Sequence, residues 1–337
     1  MVDLSTAYLG LELANPLVPS SSPLTGEVDS ARRLEDAGAA AIVMPSLFEE
    51  TIIAEQQRLE RFLDEPALGH GEAESFAPRP AQFQSTEARY LESLQALKAA
   101  LRIPVIASLN GVTDGGWLSH ARALQDAGAD ALELNVYYVA GDPGDSAAAV
   151  ERRYLDVVSA LVETVELPVT VKLSSQFTAP LAIVRLLERA GARGVSLFNR
   201  FYQPDIDLET LDVVPQLSLS SVEEARLRVR WTALMRGHVN CGLAVTGGFH
   251  SVEEVLKALL AGADVVHLCS VLLREGPVAL TAILEALERW LEEREYQSVS
   301  QLKGSMSCEC APDPAAYERA NYVQVLETYR VPTGVRF

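Results

Sequence analysis

The residue with most to explain is Lys172, set in the alternating run Val169-Thr170-Val171-Lys172-Leu173-Ser174. Successive strand side chains point to opposite faces, so Thr170, Lys172 and Ser174 share one face and the apolar residues share the other. Leu132-Glu133-Leu134-Asn135 repeats the pattern, with Glu133 and Asn135 on the polar parity. If the apolar parity packs against helices, Lys172, Glu133 and Asn135 turn toward the interior that the strands enclose. A buried ammonium is costly unless an anion or a ligand pairs with it. An interior Glu133–Lys172 ion pair would meet that cost, and so would a ligand at Lys172. A charged residue at a cleft favours the ligand.

Amides stand at two further strand ends, Asn110 in Ser108-Leu109-Asn110-Gly111 and Asn199 before Arg200. Singly, such an amide can merely tie down a loop. Together with a lysine and hydroxyls, the set suits the hydrogen-bonding edge of a flat heterocycle. Thr246-Gly247-Gly248-Phe249 and Cys269-Ser270 suit a phosphate, because paired glycines let backbone amides approach it and nearby helix N-termini favour the anion. His250, next along, reads as a surface histidine.

These residues need a scaffold, and a repeated phrase defines one. Asp36-Ala-Gly38-Ala-Ala-Ala-Ile-Val43 returns at Asp126-Ala-Gly128-Ala, Arg189-Ala-Gly191-Ala and Leu260-Ala-Gly262-Ala. In each copy an amphipathic helix ends, glycine supplies the left-handed cap and an apolar strand begins. Eight strands are expected near 16–20, 40–45, 104–109, 131–136, 168–173, 194–199, 242–246 and 264–269. Helices are expected near 27–37, 85–100, 115–127, 147–165, 179–190, 221–238, 252–261 and 277–294. Ser221-Val-Glu-Glu224 and Ser251-Val-Glu-Glu254 are capping boxes. Strict alternation makes the fold α/β, a single (β/α)8 TIM barrel over 1–296, with a C-terminal extension over 297–337 packed on the barrel or a partner chain. A doubly wound sheet, the alternative, usually has fewer strands. Long insertions after strand 2 (47–84) and strand 6 (200–220) fall on the C-terminal face, where barrel active sites lie and long loops act as lids or walls.

The chain of 337 residues carries a net charge of −18, which excludes a broad nucleic-acid surface but not a small anion site. Hydrophobic residues at 48% and charged residues at 22% exclude disordered, collagen-like and disulfide-scaffold classes. No stretch approaches the roughly 18 apolar residues of a membrane span, and the first residues lack the features of a signal peptide. Of the four cysteines, Cys241 and Cys269 read as reduced core thiols, and Cys308 with Cys310 cannot complete a zinc or iron–sulfur set. A soluble, reduced, cytoplasmic protein without metal is expected.

The landmarks together resemble the dihydroorotate dehydrogenase family over about residues 5–290. Leu9-Gly10-Leu-Glu-Leu-Ala-Asn15-Pro16-Leu-Val-Pro-Ser20-Ser21 is similar to the family's first strand, whose small residues contact the flavin. Glu133-Leu134-Asn135 resembles its fourth-strand motif, Val171-Lys172-Leu173 its flavin-binding lysine, and Asn199 its substrate-side asparagine. Val245-Thr246-Gly247-Gly248 and Cys269-Ser270 resemble its phosphate loops. The resemblance implies an FMN-dependent oxidoreductase acting on a CH–CH bond, converting dihydroorotate to orotate in pyrimidine biosynthesis. It implies FMN contacts at Ser20, Ser21, Ser46, Asn110, Asn135, Lys172, Asn199, Gly247, Gly248, Cys269 and Ser270. Electrons would leave through a soluble acceptor or redox partner protein, and relatives often form homodimers.

Departures cluster on the substrate side. Met44-Pro45-Ser46 lacks the family's lysine, and the long loop at Glu72-Ala-Glu-Ser75-Phe76 lacks its asparagine-rich motif. Val136-Tyr137-Tyr138-Val139-Ala140 replaces Ser-Cys-Pro-Asn, putting Tyr138 at the base position. A phenol starts near pKa 10, so lowering it by two units takes about 3 kcal/mol, and Tyr138 needs a cation or a proton relay. Asp142 and Asp145 in the same loop are the alternative bases, although both are expected to cap the next helix. The expectation is therefore a catalytic Tyr138 and Lys172 with a diverged small-molecule substrate. The alternatives are a non-catalytic flavin-binding or electron-transfer subunit, and an aldolase-type lyase forming a Schiff base on Lys172.

Overall fold

A computed structural model describes residues 2–64, 84–111, 116–201, 203–318 and Thr328. Its centre is an eight-stranded parallel sheet. The strands are β1 (Leu17–Pro19), β2 (Ile42–Phe48), β3 (Val105–Asn110), β4 (Ala131–Asn135), β5 (Val169–Leu173), β6 (Gly194–Leu197), β7 (Gly242–Thr246) and β8 (Val265–Leu268). From β2 to β8 each strand pairs with its sequence neighbour, and β8 pairs with β1. Closure between β1 and β2 runs through the Ala40 N–H, which donates to the Leu17 carbonyl at 3.0 Å. The sheet is a (β/α)8 barrel, as the repeat predicts.

Two parities divide the strand residues between two jobs. Leu132, Leu134, Val169, Val171, Leu173, Val195 and Leu197 face outward into a fully buried layer with Leu97, Leu161 and Leu187 of the surrounding helices. Full burial of one such side chain is worth about 1.5–3 kcal/mol, so this layer drives closure. The inward parity is apolar only at the floor. There the N-terminal hairpin, Thr6–Tyr8 paired with Leu11–Leu13, pushes Tyr8 and Leu9 up against Val43, Ile106, Ala131 and Val265. Gly194 and Gly242 open β6 and β7 because a Cβ there would lie 2.7 Å from Leu9 and Tyr8. Both capping boxes form, at Ser221/Glu224 and Ser251/Glu254.

The differences from the sequence reading lie at the edges. The insertion after β2 opens with a helix, Glu49–Asp64, because acidic residues start it and apolar residues recur through it. Its later part, with Ser75 and Phe76, lies outside the described residues. The insertion after β6 carries a two-stranded hairpin, Asp205–Ile206 with Val213–Val214. A short helix, Ser270–Glu275, intervenes before the long helix Val278–Glu293. The start of the C-terminal extension lies against the barrel helices: Gly304, Met306 and Cys308 donate backbone N–H groups to Leu259, Leu260 and Ala233 at 2.9 Å. Among the described residues no helix is long and apolar enough to cross a membrane.

The repeat's glycines, Gly38, Gly128, Gly191 and Gly262, all have positive φ. A Cβ at Gly128 meets nothing within 4 Å, whereas at Gly191 it lies 2.8 Å from Val162 Cγ1. Gly128→Ala should therefore cost only the left-handed backbone term, about 1–2 kcal/mol. Gly191→Ala should add an overpacking term of about 1–3 kcal/mol. Urea midpoints of the two variants check this ordering.

Candidate active site

The inward parity turns polar above the floor. Glu133 is wholly buried, and Lys172 Nζ lies 3.2 Å from its Oε1, so the ion pair that the sequence allowed is present. The register explains the diagonal: Glu133 sits opposite Thr170, and Asn135 opposite Lys172. Lys172 reaches back to Glu133 while its 8% exposure places it toward the mouth. Glu133 Oε2 has no hydrogen-bond partner and lies 3.9 Å from Nδ1 of the buried His267 on β8. His267 was not singled out by the sequence, yet its parity with Cys269 along β8 puts it on the axis. Its Nδ1 is 3.5 Å from Ser196 Oγ, and its Nε2 has no partner. Burial holds the imidazole pKa at about 4, against a smaller raising effect of Glu133 and a lowering one of Lys172.

Higher up, the Asn135 amide donates to Ser46 Oγ and Ser108 Oγ, both at 3.1 Å, and the two hydroxyls lie 2.8 Å apart. The amide oxygen Oδ1 is buried with no hydrogen-bond partner. Asn110 ends β3 opposite Asn135, and Asn199 follows β6 with its N–H donating to Leu173 O at 2.7 Å. The barrel thus brings Ser46, Asn110, Asn135, Lys172 and Asn199 to the C-terminal ends of adjacent strands. Ser20 donates its backbone N–H to Leu268 O at 2.8 Å, and Ser21 O lies 3.9 Å from Cys269 Sγ, so the ends of β1 and β8 join this rim.

Beyond β7 and β8 the hydroxyls close into one polar turn. Gly248 N–H donates to Ser220 Oγ at 3.1 Å, and Ser220 donates to Ser270 Oγ at 2.8 Å. His250 Nε2 is 3.3 Å from the same Ser220 oxygen, so it belongs to the turn and is more than a surface histidine. Gly247 and Gly248 have φ of +89° and +94°, and a Cβ on Gly248 would lie 2.4 Å from Ala225 N. A Cβ on Gly247 would lie 3.2 Å from an Arg228 guanidinium nitrogen. Arg228 is buried, donating to Thr246 O and Glu224 O at 2.9 Å, and Glu224 also binds Arg200 at 3.0 Å. Burial pulls the Arg228 pKa below its ordinary value, Glu224 opposing and Arg200 adding. Neither Ser220 nor Arg228 stands out in sequence, because each is brought to the glycines from a separate segment.

After β4, Tyr138 donates its hydroxyl to Asp145 Oδ2 at 2.7 Å, and the Arg153 guanidinium lies 3.8 Å from its ring centroid. Ser146 caps the following helix, so Asp145 is not its cap, and Asp142 instead accepts from Gly144 N–H at 2.7 Å. Tyr137 meets Phe201 with ring centroids 4.3 Å apart. These residues follow β4 and β6, so the ring pair spans the end of β5. An open cavity of about 1180 Å³ lies at the opposite, floor end of the barrel. Its Asp264 is paired with Lys303 at 2.6 Å and Arg236 at 3.4 Å, and it does not reach the polar mouth.

Barrel, axial lysine and glycine turn define a class: a (β/α)8 protein with its polar groups gathered at the C-terminal strand ends. The family model for dihydroorotate dehydrogenase matches residues 81–291. The chain belongs to the dihydroorotate dehydrogenase family, and its class of chemistry is oxidoreduction. It is similar to an Aeropyrum pernix protein provisionally named dihydroorotate dehydrogenase A (fumarate), 29% identical over 90% of this chain and 97% of the relative. It is 23% identical to a dihydroorotate dehydrogenase B (NAD(+)) catalytic subunit of Thermoplasma acidophilum, over 90% of this chain and 99% of the relative. It is also 23% identical to the NAD-dependent dihydropyrimidine dehydrogenase subunit PreA of Escherichia coli, over 90% of this chain and 76% of that one.

A pH dependence follows from His267. Its folded pKa of about 4 lies below the ordinary 6.5, so the native state resists protonation while the unfolded chain accepts it. This contribution to stability is whole above pH 6.5 and is lost progressively as pH falls toward 4. The loss approaches about 3 kcal/mol. His267→Gln should flatten that acid limb, as read from urea midpoints between neutral and acid pH.

Proposed function

We propose that the chain is an FMN-dependent oxidoreductase acting on a CH–CH bond of a small, flat substrate of the dihydropyrimidine type. The observation that carries this is the pairing at the mouth of Asn135 with Lys172, an orphaned buried acceptor beside an ammonium. A flavin ring offers an N–H and carbonyl edge that such a pair can satisfy, and leaving a buried amide oxygen unmet costs about 1–3 kcal/mol. The glycine turn with Ser220, Ser270 and the Arg200–Arg228 pair is a donor set suited to the phosphate. FMN would supply the hydride-accepting chemistry; the protein's part is to orient it and handle the proton.

Ser20, Ser21, Ser46, Asn110, Asn135, Lys172 and Asn199 would hold the ring end, and Gly247, Gly248, Cys269 and Ser270 the phosphate end. Tyr138 would be the acid–base group. The relay and the cation that a phenol needs are both beside it: Asp145 can receive its proton, and Arg153 can offset negative charge on the ring. Dihydroorotate is the first substrate to test, and the altered segment after β4 favours a diverged one. Because two of the similar proteins are named as subunits, a second reading has the chain passing electrons to a separate redox protein.

Purified protein, reconstituted with FMN, should show flavin absorbance that bleaches on anaerobic addition of dihydroorotate or a related dihydropyrimidine. Tyr138→Phe should abolish bleaching and leave FMN bound, whereas Arg228→Met should weaken FMN about tenfold, equivalent to about 1.4 kcal/mol. A colourless protein that cannot take up FMN overturns the proposal. Bound flavin that only a partner protein reduces would favour the second reading.

A further inference from the structure

The axis holds more titratable chemistry than the proposed reaction uses. Glu133 is fully buried and divides its oxygens: Oε1 meets Lys172 Nζ at 3.2 Å, while Oε2 has no hydrogen bond and lies 3.9 Å from His267 Nδ1. His267 keeps a second orphan, Nε2, although the side chain is 1% exposed. Buried polar atoms are rarely left unpaired, so an orphaned carboxylate oxygen facing an imidazole that keeps an orphan of its own on its other nitrogen asks for a third participant. The cheapest one is a proton. Placed on His267, it would turn the Glu133–His267 approach into a charge-assisted hydrogen bond after a small movement.

Lys172 opposes that proton. Glu133 from β4 and Lys172 from β5 are the charged groups facing His267; β6 presents Ser196, and Thr246 on β7 and Val18 on β1 are its register partners. From below, Tyr8 meets the imidazole edge-on at 6.2 Å, and its hydroxyl is occupied by Thr170 at 2.8 Å. The protonation state of His267 therefore depends on how Glu133 is shared. While Lys172 neutralises the carboxylate, a second cation on the axis has little to hold it. When an anion at the mouth engages Lys172, the carboxylate's field falls on the imidazole.

We propose that His267 is the proton store of the axis: when Lys172 is drawn from Glu133 by an anionic ligand, one proton from solvent enters and rests on His267. No other bond forms or breaks. His267 is then a positioning residue that acts through Glu133 and Lys172, keeping the axis electrically balanced as charge arrives above it. The proposal rests on the functional reading only for the identity of the anion; the coupling among the three side chains is a property of the chain itself.

The test uses the full-length protein without added flavin, labelled with ¹⁵N-histidine, with His267→Gln to assign the resonance. In Lys172→Gln the opposing charge is gone, and the His267 pKa should rise by at least about one unit, a tenfold gain in proton affinity. A pKa within about 0.3 units of the wild type, a factor of about two, overturns the proposal. If Lys172→Gln does not fold, orotate, which carries a carboxylate, is titrated into FMN-loaded wild type and His267→Gln in two buffers of different ionisation enthalpy. Proton uptake in the wild type that disappears in His267→Gln supports the store; equal uptake in both overturns it. Flavin retention, read separately from the visible spectrum, decides the cofactor reading, and the unloaded arm does not depend on it.

Discussion

A closed parallel barrel sends half of every strand's side chains to one narrow axis, where water is scarce and each polar group must find a partner or hold a ligand. In this chain the pair that meets the constraint is Glu133 with Lys172, on adjacent strands and two residues apart in register. Two lone charges there would each cost several kcal/mol. Paired, they leave a cation near the mouth and a half-satisfied carboxylate beneath it. The neighbouring polar residues follow from that arrangement: His267 faces the spare oxygen, and Asn135 presents its amide to Ser46 and Ser108 while its own oxygen stays open. The outward parity carries the stability, which frees the inward one for ligands.

The two ends of the mouth are held together in different ways. The β7–β8 end is locked by close packing, since a Cβ on Gly248 would collide with the backbone of Ala225, and Ser220, Ser270 and Gly248 form one hydrogen-bonded turn. Few other residues would serve there. The segment after β4 keeps short local backbone hydrogen bonds, Gly141 N–H to Val139 O and Asp145 N–H to Asp142 O. Its aromatic residues are placed by side-chain contacts: Tyr138 on Asp145 and under Arg153, and Tyr137 against Phe201. Such side-chain contacts can be exchanged as a set without disturbing the glycine turn at the β7–β8 end.

Where the information was local, it was legible. The four Ala-Gly-Ala phrases marked helix-to-strand joints that all prove left-handed at glycine, and strand parity alone put Glu133, Asn135 and Lys172 inside. Both capping boxes are formed where Ser-x-x-Glu places them. What escaped was non-local. Ser220 and Arg228 reach the glycine turn from either side of the Ser221–Glu224 capping box, which predicts a helix start and nothing of what those two side chains meet. His267 looks like part of an apolar strand until the opposite wall of the barrel supplies Glu133. Asp145 reads as a helix cap because its alternative partner, Tyr138, depends on how an irregular segment folds back. Hydrogen-bond competition at such places is decided by geometry that periodicity does not encode.

The floor of the barrel completes the electrostatic argument. Tyr8 and Leu9 fill the bottom, and Gly194 and Gly242 are small so that they can. Tyr8's hydroxyl bonds to Thr170, and burial pushes its pKa well above the usual phenol range, so it stays neutral and gives no proton to the groups above. The axis cluster therefore lies between an apolar plug below and the mouth above, its polar exit. A flat ligand lying across Asn135 and Lys172 would close that exit and seal Glu133 and His267 into a low-dielectric space. Interactions among charges strengthen as water leaves. The sealed plug below thus makes the ligand above an electrostatic component of the barrel, and the more completely it covers the mouth, the more tightly its own charge is tied to the protonation of the axis.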